Sequence, residues 1–252
     1  RVAAETSVRG RSGRSDDNTK SKTMTKTNNP PRAPAGGLAQ RRALTGYVMD
    51  DDSIRTAVAA WFADQSAAEA TYGHISTWAT GGVTDMSELF CGASWEESCN
   101  SAAASFNEDI GAWDTSGVTT MWRMFFEASA FDQDIGAWDT SGVTRMDGMF
   151  EDAEAFNQDI SGWQVGNVKT TAFMFYGASV FNQPIGGWSL EALTSMTGMF
   201  EDASAFDQDL GWCVDDGVNL AHAFLATSCD SNACGVGQKD AIGICEPWFR
   251  PC

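Results

Sequence analysis

A 25-residue pattern repeats between Phe106 and Trp212 and constrains the fold more than any other feature of this chain. Four consecutive copies begin FNEDIGAW, FDQDIGAW, FNQDISGW and FNQPIGGW, and a fifth, FDQDLGW, is one residue shorter at its tryptophan. A fixed period in the twenties is typical of stacked solenoid coils, whose apolar columns form one continuous core. The columns include Phe106, Phe131, Phe156, Phe181 and Phe206, and Trp113, Trp138, Trp163, Trp188 and Trp212.

Two apolar spacings within each copy predict two kinds of element. The Phe-x-x-x-Ile-x-x-Trp stretch is rich in residues that favour strands, so side-by-side copies predict a short parallel ladder. The Val-x-x-Met-x-x-Met-Phe-x-x-Ala stretch spaces its apolar residues by three and four, which predicts a short helix. Gly117, Gly142 and Gly166 lie in the turn between the two stretches. The predicted fold is an α/β solenoid with one short parallel strand and one short helix in every 25-residue repeat.

The region before the repeats divides into two predicted segments. Residues 1–42 are rich in Ser, Thr, Arg, Gly and Pro, which predicts a disordered basic segment, either a solvated linker or a tether to an acidic partner. Residues 43–77 are predicted to form an N-terminal helical cap, because a first coil has no earlier coil to stack on. Asp51, Asp52 and Ser53 predict a helix start. The apolar residues that follow fall on one face of a helix over about 53–70.

The predicted solenoid covers residues 78–212 and contains one insertion. The segment from Trp78 to Phe90 matches the later columns, but Trp78 and Trp113 are 35 residues apart, so ten extra residues lie near 94–105. Cys91 and Cys99 bracket this insertion, and a disulfide that closes so short a loop is geometrically reasonable. Insertions in repeat proteins form loops on one face, which is often the binding face. A binding loop and a tolerated surface loop are equally good interpretations.

The cysteines lie outside the regular coils and predict disulfides rather than zinc. No close Cys-x-x-Cys pair exists, and close pairs are typical of zinc sites. Stapling of irregular segments indicates an oxidising compartment, so we expect a secreted or cell-surface protein. Residues 213–252 are predicted to form a Cys-rich C-terminal cap, with Cys213–Cys229 and Cys234–Cys245 as the expected bonds and Cys252 bonded elsewhere. Because the chain begins at Arg1 rather than Met, we expect a processed or truncated product, with no signal or anchor visible.

The charge of the chain is strongly uneven. Residues 1–42 hold ten Lys and Arg against three acids, whereas residues 43–252 hold six against 31, a net charge of −25. A body of this charge repels nucleic acid and anionic membranes, and it suits cations, basic partners or high solubility. No apolar run is long enough to span a membrane.

Two polar columns accompany the apolar ones. Because adjacent strands lie about 4.8 Å apart, aligned carboxylates must be hydrated, hydrogen-bonded to turn amides or bridged by a cation such as calcium. We favour turn capping, with a calcium ladder as the alternative. The proposed calcium ligands are Asp109, Asp134, Asp159 and Asp209. The second column is Asn107, Asp132, Asn157, Asn182 and Asp207.

The pattern VTxMxxMFxxAxxFNxDIxxWDTS, which recurs from about Trp78 to Leu225, resembles the BspA-like leucine-rich repeats of mycoplasma surface lipoproteins and other surface proteins. The resemblance implies a right-handed, leucine-rich-repeat-like solenoid that is displayed on cell surfaces and acts in adhesion or recognition. It implies no catalytic residues. The chain departs from the pattern at Thr171, Pro184, Leu190 and the whole coil after Cys213.

The predicted function is non-catalytic binding to a protein or glycan partner at a cell surface or in a matrix. His74 and His222 stand at opposite ends of the repeats, and no nucleotide-binding or serine-hydrolase motif is present. The first alternative is a structural or calcium-stabilised surface-coat component. A glycan-acting enzyme is a remote alternative, because such an enzyme needs only two carboxylates and nothing in the sequence singles out a pair.

Overall fold

Among the described residues, the α-helices and the strands lie at the two ends of the repeat region. The computed structural model describes residues 46–229 and 233–247, so the basic segment 1–42 and Cys252 lie outside it. Helices α1 (Asp51–Ala63) and α2 (Gln65–Tyr72) precede the repeats. Strands β1 (Cys213–Val214), β2 (Gly237–Lys239) and β3 (Cys245–Pro247) lie at the other end. Strand β2 pairs parallel with β1 and antiparallel with β3. Short 3₁₀ helices span Ile75–Thr77, Ser101–Ser105 and Ala233–Gly235.

The N-terminal helical region contains two helices rather than the single helix predicted over 53–70. Asp50, not one of the three predicted residues, is the N-cap of α1 and forms a reciprocal capping box with Ser53. Asp64 ends α1 and caps α2 by accepting a hydrogen bond from the Ala67 amide, which explains the break. The predicted apolar face is confirmed by the burial of Ile54, Ala57, Val58 and Trp61. No helix in the described ranges is long and apolar enough to cross a membrane.

Successive repeats lie side by side through single-residue parallel bridges. Around each bridge the backbone donates to both neighbouring repeats: the Thr144 amide donates to Thr119 (2.9 Å), and the Met121 amide donates to the Arg145 carbonyl (3.0 Å). The bridges join Asp85, Thr120, Arg145, Thr170, Ser195 and Asn219 in one series. We call this surface the bridge face. The described residues form no longer strand within the repeats.

The parallel contact therefore does not lie where the sequence predicted it. The Phe-to-Trp stretch of each repeat is irregular backbone, and the bridges follow the recurring Val or Leu position instead. Side chains connect the repeats along the Phe-to-Trp stretch. For example, the Trp138 indole donates to the Ile110 carbonyl of the preceding repeat (3.2 Å). Phe, Ile and Trp occur in this stretch because they fill the core. The same residues are also common in strands, so the sequence pattern did not distinguish core packing from strand formation.

The stretch predicted to be a short helix is a ribbon of consecutive turns. Arg123 and Glu127 adopt left-handed backbone conformations, with φ of 49° and 53°, which an α-helix cannot include. The Arg123 and Phe125 amides donate to Asp147 and Met149 of the next repeat, at 3.1 and 2.9 Å. Equivalent phenylalanine rings are 5.5 Å apart in neighbouring repeats, whereas a helix with its side chains is about 10 Å wide. The close spacing of the repeats therefore excludes a helix.

From Arg123 onward, large residues and glycine alternate at the first left-handed position of this ribbon, whereas Glu88 and Arg123 occupy it in two successive coils. A Cβ atom added to Gly198 would lie 2.6 Å from Cε1 of Phe173, and one added to Gly148 would lie 2.9 Å from Cγ of Arg123. Each large side chain thus covers the glycine of the following repeat. The series is Arg123, Gly148, Phe173, Gly198 and His222, all with positive φ.

The apolar columns form the core, as the sequence predicted. Trp138 is 4% exposed, and its ring stacks on Trp163 with centroids 6.4 Å apart. The Phe125, Phe150 and Phe175 rings stack at 5.5 Å along the repeats. Each ring covers the ring before it, so the core is continuous from the helical cap to the last repeat.

The described residues form three disulfides, and one of them was predicted. Cys91–Cys99 closes the inserted loop. The predicted Cys213–Cys229 and Cys234–Cys245 bonds are wrong, because the bonds formed are Cys213–Cys245 and Cys229–Cys234. Strands β1 and β3 both pair with β2, and the Cα atoms of Cys213 and Cys245 are 5.7 Å apart.

The first coil is completed by side chains from α1. No earlier repeat donates hydrogen bonds to the carbonyl groups at this end. The Arg55 guanidinium donates to the Ser87 and Asp85 carbonyls instead, at 2.8 and 3.3 Å. The Asp51 carboxylate accepts from the Thr84 and Asp85 amides at 2.7 and 3.0 Å. Two charged side chains therefore replace the backbone of a missing repeat.

The last coil is completed less fully. The Phe200 amide donates to the Ala223 carbonyl of the last coil (2.8 Å), but the equivalent Phe224 amide has no acceptor among the described residues. Trp212 is 4% exposed, and its indole nitrogen also has no partner there. Amides without an acceptor in the described ranges belong to Leu220, His222, Phe224 and Ala226.

Candidate functional site

The proposed calcium ligands cap turns in the structure. The carboxylates of Asp109, Asp134 and Asp159 each accept a hydrogen bond from the amide two residues later, at 2.9–3.0 Å. The bonds from Ser161 hold the pKa of Asp159 below its usual value. Asp209 instead lies against Gly235. No group of three or more His, Cys, Asp or Glu residues in the described ranges is arranged to hold a metal ion.

The second polar column is a ladder between repeats rather than a set of turn caps. The Asp132 amide donates to the Asn107 side chain (2.9 Å), and the Asn157 amide donates to the Asp132 side chain (3.0 Å). Gln158 also donates to the Asp132 carboxylate (2.8 Å). The same contacts continue to Asp207. This column therefore fixes the register of the repeats and offers no separate binding group.

A row of alternating aromatic rings and guanidinium groups lies on the surface of the first repeats. The Trp95 ring meets Phe126 edge-on, with centroids 5.7 Å apart. The Arg123 guanidinium lies 4.5 Å from the Phe126 ring and 5.5 Å from Trp122. The Arg145 guanidinium lies 4.6 Å from the Trp122 ring. We call these five side chains the tryptophan–arginine row.

Trp95 connects this row to the inserted loop. It is 65% exposed, and its indole donates to the Glu127 carboxylate at 3.0 Å. Cys91 packs with Phe126 in a small apolar cluster next to the loop, so the Cys91–Cys99 bond holds the loop against the row. The insertion thus places an exposed tryptophan at one end of a structured surface. This position favours the interpretation of the insertion as a binding loop.

The other end of the row borders a shallow groove of about 620 Å³ on the bridge face. Helix α1 forms one wall, and the first three coils form the floor and the other wall. The residues that line the groove are Arg55, Asp85, Ser87, Glu88, Thr119, Thr120, Trp122, Thr144 and Arg145.

The polar groups of the groove are held in fixed positions. The Nε and Nη2 atoms of Arg145 donate to the two carboxylate oxygens of Asp147 at 2.6 and 2.9 Å. This hydrogen bond raises the pKa of Arg145. The Thr119 and Thr144 hydroxyls each donate to a carbonyl of the preceding coil at 3.2 Å. Their remaining lone pairs, the Trp122 indole N–H and Nη1 of Arg145 remain for a ligand.

The groove and row hold most of the positive charge among the described residues. The chain has five Lys and Arg residues in the described ranges, and three of them, Arg55, Arg123 and Arg145, lie here. Each is paired: Arg55 with Asp85 at 3.2 Å, Arg123 with Glu151 at 3.8 Å and Arg145 with Asp147 at 2.6 Å. The site is therefore close to neutral, although the body around it is strongly acidic.

Glu151 lies next to the row and is the most strongly shifted acid. Burial raises its pKa to about 7, Arg123 opposes the shift, and the charges of Asp152 and Glu127 add to it. Its side chain is 18% exposed. Glu151 faces Arg123 from the next repeat, so its protonation is linked to the charge at the row.

The sequence did not predict the tryptophan–arginine row. Trp122 and Arg145 occupy positions that vary among repeats, with Asp147 and Ala172 in the places equivalent to Trp122. The sequence did hold one indication of the row. A tryptophan at a position that varies among repeats is not needed for the stacking of the coils, so its presence there indicates another role. The two histidines remain apart, His74 beside Glu108 and His222 beside Glu201.

One family model matches this chain. It is described as "Mycoplasma protein of unknown function, DUF285", and it matches residues 56–99 and 94–212. These two overlapping matches cover the end of the helical cap, the inserted loop and the repeats as far as Trp212. No curated protein and no solved structure matches the chain.

Proposed function

The chain belongs to the DUF285 family of mycoplasma proteins of unknown function, and from this premise we propose that it is a non-catalytic surface protein that binds a protein or glycan partner. The partner binds at the groove and the tryptophan–arginine row. The observation that carries the proposal is the row itself: aromatic and arginine side chains, the types enriched at binding hot spots, are held rigidly beside a groove.

The proposed architecture is a right-handed, leucine-rich-repeat-like solenoid of the BspA-like type. The in-register bridges and the continuous ring stacks support a solenoid. Such stacks create extended surfaces on which neighbouring repeats contribute side chains to one site. The groove has this form, because α1 and three successive coils line it.

A binding role fits the groove better than catalysis does. Three of the four charged side chains that line it are engaged in structural contacts: Asp85 pairs with Arg55, and Asp147 holds Arg145. A catalytic carboxylate needs a reachable substrate proton and a suitable pKa. Glu151, the acid with the pKa near neutrality, does not line the groove.

We place the protein outside the cell or on its surface. The three disulfides support this location, because such bonds persist in oxidising compartments. The Cys91–Cys99 bond lies directly behind the row, so the proposed binding site itself depends on an oxidising environment.

The test is a binding screen of the full chain against immobilised glycans and purified extracellular-matrix proteins. A Trp122→Ala, Arg145→Ala double variant should bind its partner at least tenfold more weakly. The matched controls are Phe173→Ala and Lys169→Ala, an exposed aromatic residue and a cation outside the groove. If the double variant binds as tightly as the wild type, the groove is not the binding site.

The alternative is a calcium-stabilised coat component, and the Asp109, Asp134 and Asp159 column is its basis. Thermal unfolding with twofold dilutions of Ca²⁺ and with excess chelator separates the two functions. A ligand selective for the folded state raises the melting temperature by mass action. We expect no shift, because these carboxylates cap turns. A dose-dependent rise that an Asp134→Asn variant abolishes would favour the alternative.

The remote alternative is a glycan-acting enzyme. Turnover of a polysaccharide that a single carboxylate substitution abolishes would identify it. We expect no turnover by the wild type. Asp85 and Glu88 are the two acids that line the groove, so Asp85→Asn and Glu88→Gln should have no activity to abolish.

A further inference from the structure

We infer that the groove binds a neutral, linear glycan that lies across α1 and the first three coils. The inference rests on the proposed function and narrows its partner to one chemical class. It follows from the groove's lining, its charge balance, its rigidity and its spacing.

The lining matches a polyhydroxylated ligand. Trp122 supplies an aromatic edge and an indole donor, Arg145 supplies Nη1, and the Thr119 and Thr144 hydroxyls supply acceptors. No aliphatic side chain of the described residues lines the groove. A protein hot spot needs a desolvated apolar pocket for an anchor residue. Sugars present dense alternating donors and acceptors on a ring with apolar C–H faces, and this groove offers the complement.

The charge balance favours neutral rather than anionic glycans. Arg55 and Arg145 are both compensated by carboxylates, and Glu88 adds a further acid to the lining. The surrounding body, residues 43–252, carries a net charge of −25. A polyanion would be repelled by this field at any distance within the Debye length.

The groups that meet the ligand are ordered before it arrives. Arg145 is fixed by two bonds to Asp147 and by the Trp122 ring, and Arg55 by its bonds to two backbone carbonyls. Immobilising a rotamer-rich side chain on binding costs conformational entropy, and this cost is avoided here. Preorganisation matters most for glycans, whose individual contacts are weak.

The spacing of the coils suits a polymer. Parallel bridges join neighbouring coils at Asp85, Thr120 and Arg145 in the groove, and bridged strands lie about 4.8 Å apart, close to the length of one sugar residue in an extended chain. Thr119 and Thr144 repeat the same hydroxyl at successive coils. A linear glycan that crosses α1 and the three coils meets further groove side chains with each added residue, so affinity should rise with oligosaccharide length until the groove is filled.

The experiment is calorimetric titration of the full chain with two glycan series of increasing length. The neutral series comprises cello-, manno- and chito-oligosaccharides, and the anionic series comprises heparin and alginate fragments. We expect one neutral series to bind, with affinity rising at least tenfold from disaccharide to hexasaccharide and little dependence on salt. Trp122→Ala and Arg145→Ala should each weaken binding at least tenfold, whereas Phe173→Ala and Lys169→Ala should change it less than twofold.

The results separate this inference from the proposed function. Anionic fragments that bind more tightly than neutral ones, with strong salt dependence, would overturn the neutral class. Binding of a matrix protein that Trp122→Ala removes, without binding of any neutral glycan, would also overturn it, while the groove stays the binding site. Tight neutral-glycan binding that neither groove variant weakens would place the glycan elsewhere and contradict both.

Discussion

The two ends of the repeat region are closed by different chemistry. At the N-terminal end, Asp51 and Arg55 of one helix supply the hydrogen bonds that a preceding repeat would have made. At the C-terminal end, a three-stranded sheet and two disulfides cover part of the last coil. There the Trp212 indole and the Phe224 amide have no acceptor within the described residues.

The difference shows two ways to end a stack whose every layer donates hydrogen bonds to the next. A side-chain cap matches individual backbone groups and depends on charge. A disulfide cap restricts the unfolded chain and does not depend on matching each group. In the middle of the stack every repeat has a repeat on both sides. The stability effects of substitutions there are the reference for those at both ends.

The largest effect is expected in the middle. Trp138→Ala removes a buried ring that stacks on Trp163 and donates to Ile110. It should lower the free energy of unfolding by about 3–5 kcal/mol. Urea denaturation followed by circular dichroism measures this change. A change near zero would show that the tryptophan column does not hold the repeats together.

The disulfide end comes next. Cys213→Ser removes a bond that closes a span of 32 residues, and it should lower the free energy of unfolding by about 2–4 kcal/mol. Cys229→Ser removes a bond that closes a span of only five, so its effect should be clearly smaller. Denaturant unfolding of both variants measures the two effects, and equal losses would contradict the entropic account of this end.

The charged end should be less costly to disturb and sensitive to acid. Asp51→Ala leaves the Thr84 and Asp85 amides without their acceptor and should cost about 1–3 kcal/mol. Burial raises the pKa of Asp51, but hydrogen bonds from Thr84 and Asp85 and the charge of Arg55 outweigh it, so the pKa lies below its ordinary value of 3.8.

The contribution of Asp51 is therefore present above the usual carboxyl pKa and is lost as the pH falls through the lowered value. Melting temperatures measured from pH 6 down to about 2 should converge for the wild type and Asp51→Ala. Curves that stay parallel would show that the charge of Asp51 does not contribute.

The middle should respond to pH in the opposite direction through Glu151. Its pKa is about 7 in the folded protein, against an ordinary value of 4.5 for a solvated glutamate, so the folded state holds the proton more tightly. Stability should then fall as the pH rises from about 4.5 to about 7, by on the order of 3 kcal/mol. Glu151→Gln should flatten this part of the profile, whereas the exposed Glu154→Gln should not. An unchanged profile in Glu151→Gln would contradict the assignment.

The smallest expected effect is a difference in unfolding free energy between two tryptophan substitutions, one in the middle of the stack and one at its C-terminal end. Trp188→Phe removes an indole that donates to Ile160 at 3.1 Å and should cost about 1 kcal/mol more than Trp212→Phe. Both substitutions remove the same volume, so the difference in unfolding free energy reports the hydrogen bond. Equal costs would mean that the Trp212 indole has a partner after all.

The columns of the core were predictable because every coil buries the same apolar positions against its neighbours. Five phenylalanines at a constant spacing need the same environment five times, and only stacking provides it. The regular elements were not predictable from the same residues. Spacings of three and four fit a helix and a chain of turns equally well. The choice depends on left-handed residues such as Arg123 and Glu127, which no apolar pattern marks.

The candidate site was the least predictable part of the molecule. The sequence placed the inserted loop, with its Cys91–Cys99 bond, and left its role open. It could not show that Trp95 would reach Phe126, or that Arg145 would lie on Trp122 from the next coil. These contacts join residues 31 and 23 positions apart, at places where each repeat differs from its neighbours.

The alternation of large residues and glycine along the turn ribbon gives the molecule a second period, which is two repeats long. The core recurs with every repeat, but Phe173 needs the glycine of the next coil beneath it, and so does Arg123. Losing or duplicating a single coil between Arg123 and His222 would bring two large side chains, or two glycines, face to face. A change of two coils would preserve the alternation. Among these coils, length is therefore expected to be gained or lost in pairs, both in relatives and in engineered arrays.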